Sequence, residues 1–179
     1  MVRAIILFAT FLAPPAIAEN RHAGAHVHGV NHVKLVLSDS SLQISYEFPI
    51  VQLTKHDEHK HDEHKHDEHK HDELAERLEQ INSITTLVAI PDAADCSQSN
   101  IRHELRPVAS AGSGEEHADH QDVVIEAVLT CQNPSVLKTM DFSLAFNHFD
   151  DVEKIEVEGI LGAQPISETL TARKAVISF

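Results

Sequence analysis

The chain has 179 residues, about the length of one domain. Its 28 acidic residues outnumber 14 Lys and Arg, giving a net charge of −14, which excludes the basic surface a nucleic-acid backbone requires. Hydrophobic residues make up 42%, enough for a buried core, and the anomaly is histidine, 15 of 179.

Met1–Ala18 reads as a cleaved secretory signal peptide. Arg3 supplies the positive start, Ala4–Leu12 the short apolar stretch, and Ala16-Ile17-Ala18 the small-x-small cleavage site. That apolar run is far shorter than the roughly 20 residues needed to span a bilayer. No cysteine follows the cleavage point, and no other segment is apolar enough to cross, so no membrane anchor is expected. The mature chain is then Glu19–Phe179, exported to the periplasm and folded as a single metal-binding domain.

Val33, Leu35 and Leu37 alternate with other residues, as do Leu42, Ile44, Tyr46 and Phe48. The turn cluster Ser38-Asp39-Ser40-Ser41 between them predicts a β-hairpin closed by Pro49. Lys55–Glu73 is low-complexity: Lys-His-Asp-Glu-His starts at Lys55, Lys60 and Lys65, and a copy at Lys70 loses its last His to Leu74. It holds no apolar residue, so it predicts a disordered loop outside the core. Leu74, Leu78, Ile81, Thr85 and Val88 have helical spacing, which predicts an amphipathic helix over 74–89, ended by Pro91.

Ile101, His103 and Leu105 alternate as a strand, and Ser110–Asp122 is a polar insertion. Val123, Ile125, Ala127, Leu129 and Cys131 mark the clearest long strand. Asn133-Pro134 opens a turn or short helix, Thr139–Phe146 and Ile155–Leu161 read as strands, and Thr169–Phe179 as a last strand or hairpin. The predicted fold class is α+β, an antiparallel sheet with one main helix. Cys96 and Cys131 are the two cysteines, and an even pair in an exported chain points to a disulfide. The alternative is two metal-binding thiolates, though neither has a His or second Cys nearby in sequence.

The chemistry lies in the imidazoles. The repeat carries His56, His59, His61, His64, His66, His69 and His71, interleaved with four Asp and four Glu. Neutral imidazole is a good ligand for zinc, copper and nickel, and carboxylate is an acceptable second ligand for zinc. A solvated linker is the bland alternative, but a linker gains nothing from histidine. Each five-residue step turns a helix by about 140° net, so a helix spreads these histidines and a strand divides them between two faces. A flexible loop gathers any three or four, which predicts several exchangeable sites of modest affinity.

His26-Val27-His28-Gly29 is a second candidate, and in an extended strand His26, His28 and His32 share a face. His117 and His120 form a His-x-x-His pair among four carboxylates, either a further metal site or a solvated loop. His103 and His148 stand alone and read as structural or merely exposed.

Ala25-His26-Val27-His28-Gly29-Val30 leads into the hairpin ending at Phe48-Pro49. A His-rich tract and helix follow, then Leu87–Pro91, Cys96, Cys131 before Asn133-Pro134, Asp141–Phe149 and Val152–Val157. Over nearly the whole mature chain this resembles the ZrgA-like family of periplasmic zinc-binding proteins. The resemblance implies zinc capture through His-rich segments, assisting a high-affinity zinc ABC importer or its solute-binding protein. It carries His26 and His28 over as ligands and the repeat histidines as a group, with Zn²⁺, several ions possible, as the bound metal.

The competing function is a periplasmic buffer for zinc, nickel or copper detoxification. Met1 and Met140 are the only methionines, which argues against a dedicated Cu(I) site. An enzyme is not expected: neither His-Glu-x-x-His nor Gly-x-Ser-x-Gly occurs.

Overall fold

The computed structural model describes residues 29–53, 75–107, 121–149 and 151–179. The expected signal segment 1–18 and the repeat 55–73 lie outside these residues. Strands β1 (Val30–Ser38) and β2 (Ser41–Pro49) form the expected hairpin. Ser38 pairs with Ser41 across a two-residue turn, and Asp39 takes a positive φ of 53° there. Asp is one of the few non-glycine residues that visits this region readily.

A short helix α1 (75–80) and a 3-10 turn (Ile84–Thr86) precede β3 (Cys96–Pro107) and β4 (Gln121–Cys131). Then come β5 (Thr139–Asp141), helix α2 (Ser143–His148), β6 (Lys154–Leu161), β7 (Gln164–Leu170) and β8 (Val176–Ser178). Six strands make one sheet in the order β3-β4-β2-β1-β6-β7, and β5 pairs with β8 separately.

This corrects the predicted fold class. The protein is mostly β, the sheet is mixed because β1 and β6 run parallel, and two short helices replace the one main helix. The helix expected over 74–89 stops at residue 80. Ser83 Oγ accepts from the Thr85 N–H, and Gln98 Oε1 accepts from the Ile84 N–H at 2.9 Å. Side chains thus take over backbone donors that a continuous helix would use, and Ile81, Ile84, Leu87 and Val88 reach the core by a different path. The strand expected over Thr139–Phe146 is β5 followed by α2; the Asp141 carboxylate accepts the Ser143 N–H at 2.8 Å, turning the chain into the helix. The last hairpin begins earlier than expected, at β6–β7, with Ile155 paired to Leu170.

The alternating residues face a single core. Val33, Leu35, Leu37, Leu42, Ile44, Tyr46, Phe48, Ile125, Leu129 and Val157 are all buried. They pack with Leu87, Met140, Phe142, Phe149 and Ile177 from the segments outside the large sheet. The β1–β6 contact is unusually close at Gly159, where an added Cβ would collide with the Leu35 carbonyl oxygen. The opposite face of the sheet carries charge pairs such as Arg102–Glu126 and Arg106–Glu47. Exposed pairs of this kind contribute little to stability.

Cys96 and Cys131 are direct cross-strand partners and form a disulfide, as expected. They serve no metal as thiolates. Closing a loop of this length stabilises by about 4 kcal/mol in the chain-entropy model.

Candidate functional site

Strand directions fix where the histidine-bearing segments join the described fold. Val30 opens β1, Pro49 closes β2, Pro107 closes β3 and Gln121 opens β4. The register aligns Pro107 with Gln121, Asp122 with Pro49, and Val30 with Lys154. All six termini therefore lie at one end of the sheet, since β6 starts and β7 finishes there too. Residues 1–28 join the fold at Gly29, residues 54–74 leave it after Leu53, and residues 108–120 bridge Pro107 and Gln121. These three segments carry 12 of the 15 histidines, all but His32, His103 and His148. His26, His28, the seven repeat histidines, His117 and His120 lie outside the described residues.

Of the described histidines, His32 stands on the solvent face of β1. Its Nδ1 is 3.5 Å from Glu156 Oε2, while Lys154 Nζ donates to Glu156 Oε1 at 2.7 Å. Gly29, the residue before β1, has a φ of +81°, and the shared extended face expected of His26, His28 and His32 rests on residues outside those described. A left-handed residue interrupts the two-residue alternation of a strand. His103 Nε2 is 2.9 Å from the Ile81 carbonyl oxygen, fastening β3 to the chain after α1, which is the structural role expected of it. His148 ends α2 and meets the Phe149 ring edge-on at 4.8 Å. Burial, and secondarily the Arg77 charge, lower its pKa. Among the described residues no group of three or more His, Cys, Asp or Glu is arranged to hold a metal ion.

The same end holds a carboxylate pair that periodicity alone does not reveal. Asp122 is buried, and its pKa is pushed up to about 6 by burial first, then by the charge and hydrogen bond of Glu47. Arg106 opposes this rise and lies 3.4 Å from Glu47. The acidic run around residue 115 masks Asp122 in the sequence; only the pairing of β4 with β2 puts it beside Glu47.

Gly29 fixes where the first segment joins. Its carbonyl oxygen accepts from Glu153 N at 2.8 Å and Lys154 N at 3.0 Å. The family model described as "ZrgA family zinc uptake protein" matches residues 25–179. The chain belongs to the ZrgA family. Its role accordingly lies in zinc uptake, and the family is not one of enzymes. Gly29 and the disulfide-paired strands both fall inside the matched ZrgA region. A comparison with curated proteins finds no match. Among the described residues, no helix is long and apolar enough to cross a membrane.

Proposed function

We propose that this ZrgA family member is a periplasmic accessory protein that captures Zn²⁺ through its His-rich segments and assists a high-affinity zinc ABC importer. The observation that carries this is that the strand ends next to which the three histidine-bearing segments attach, at Val30, Pro49, Pro107 and Gln121, lie at one end of the sheet. Segments attached at neighbouring points act at high effective concentration on a shared ion. His26, His28 and the seven repeat histidines are the principal ligands, with His117, His120 and His32 as further ones. Mixed imidazole and carboxylate donors suit zinc. Many near-equivalent ligands exchange an ion readily, which suits capture and hand-off. The net charge of −14 concentrates cations near the surface. Residues 1–18 are the export signal, and residues 19–179 the functional domain.

The test is growth of a strain lacking the protein. Growth fails under zinc chelation and is restored by added zinc, and the defect does not add to loss of the importer. Normal growth under chelation with death in excess zinc would instead assign the protein to detoxification.

A further inference from the structure

We propose that two copies of this chain pair through the outer face of β1 and β6, laying Val36 of one copy on Ile160 of the other and Lys34 on Glu158. The pairing does not depend on zinc binding.

β1 and β6 are parallel neighbours in register, with His32 beside Glu156, Lys34 beside Glu158 and Val36 beside Ile160. These side chains face away from the core. Val36 is 43% exposed and Ile160 54%. Pro165 continues the row, since it pairs with Ile160 across β6 and β7 and is also exposed. Single exposed apolar side chains are ordinary on a protein surface, but three abreast on neighbouring strands make a patch. The next row holds opposite charges. Lys34 and Glu158 are both exposed, and among the described residues neither side chain has an ion-pair or hydrogen-bond partner. Glu156, by contrast, is engaged by Lys154 and His32.

The arrangement is self-complementary. A two-fold axis parallel to the strands, midway between β1 and β6, lays each β1 on the β6 of the other copy without shifting it along the strand. Val36 then meets Ile160, Lys34 meets Glu158 and His32 meets Glu156, each twice. Strand β2 falls on β7, where Gln43, Ser45 and Glu47 meet Pro165, Ser167 and Thr169. No like charges are directly opposed. Opposite charges facing each other across an interface fix its register and deter other pairings. Packed sheets lie about 10 Å apart, a gap that Lys and Glu side chains reaching from both sides bridge. Such sheets cross at about 30°, so the register holds best beside the axis, where β1 and β6 stand. Four strands over the eight paired residues of β1 cover roughly 500 Å² per copy. A contact of that size is transient rather than obligate.

The parallel direction of β1 and β6 sets what the pairing does. Both copies point the same way along the axis, so their strand ends at Val30, Pro49, Pro107 and Gln121 lie at one end of the dimer. On the reading above, histidine-bearing segments from two chains then act on a shared ion.

Sedimentation equilibrium of the exported protein tests this, with a chelator present so that zinc does not bridge chains. The wild type passes from monomer to dimer as concentration rises. Lys34→Glu and Glu158→Lys each turn the opposed pairs into like charges and weaken association at least about tenfold. An equimolar mixture of the two variants recovers it, because every opposed pair is again of opposite sign. Repulsion within one chain would lower the melting temperature of a variant but gives no recovery on mixing. Ile160→Ser, which leaves the charges alone, also weakens association. Single variants that dimerise as tightly as the wild type, or a mixture that stays monomeric, would overturn this face as the interface. A wild type still monomeric at about 1 mM would overturn the dimer itself.

Discussion

Asn31 and Tyr46, on neighbouring strands and both fully buried, share a hydrogen bond of 3.0 Å from the Asn31 amide to the Tyr46 hydroxyl. Burial keeps the phenol protonated far above its ordinary range, with the Asn31 contact a smaller opposing effect. Tyr46→Phe strands the Asn31 amide in an apolar layer and costs about 1–3 kcal/mol. Urea unfolding measures this. Combining it with Asn31→Leu recovers part of the loss, because both polar groups are then gone.

Removing the disulfide with Cys96→Ser and Cys131→Ser lowers stability by about 4 kcal/mol. Thiol alkylation of the oxidised native protein finds no reactive cysteine; labelling of both without prior reduction contradicts the bond.

The raised Asp122 pKa has a definite sign. The folded protein holds this proton up to about pH 6, whereas the ordinary value is 3.8. The unfolded chain binds fewer protons in that window, so the contribution to stability is full below 3.8 and is lost as pH rises to about 6. Asp122→Asn, neutral throughout, shows a shallower decline across this window in metal-free denaturation curves.

Deleting Lys55–Glu73 leaves cooperative thermal unfolding intact, because the segment offers no apolar side chain to the core. Loss of the cooperative circular-dichroism transition would mean that the repeat is part of the folded unit.

Zinc calorimetry on the full chain gives more than one ion per chain. Binding weakens as pH falls through about 6.5, where protons compete for imidazole nitrogen. Replacing the seven repeat histidines with Asn removes most of the stoichiometry. An unchanged count shows that the repeat does not store the metal.

Alternation in β1, β2 and β4 was readable because their inner faces meet one core, so every second residue is buried. The cysteine pairing was readable for a chemical reason, an even count in an exported chain. The parallel β1–β6 contact was not, because alternation reports a buried face and never the partner strand. The helix over 74–89 misled because Ile81, Thr85 and Val88 keep helical spacing while Ser83 and Gln98 capture the backbone N–H groups. The histidine motifs stood out by composition. Their shared end depends on strand direction and register, and so does the Asp122–Glu47 pair. The Gly29–Glu153 contact joins residues far apart in sequence, so no local pattern announces it.

The disulfide closes β3 and β4 at the end of the sheet where β3 begins and β4 finishes. From Gln121 to Cys131 the strand covers about 34 Å at ~3.4 Å per residue. The sulfurs therefore sit a full strand length from the points where the histidine segments attach. Zinc readily seizes nascent thiolates and can stall oxidative folding in proteins whose cysteines neighbour their metal ligands. In the folded protein, distance separates the disulfide from the attachment points of the proposed zinc-binding segments, so the sulfurs are not positioned to compete for an ion captured there.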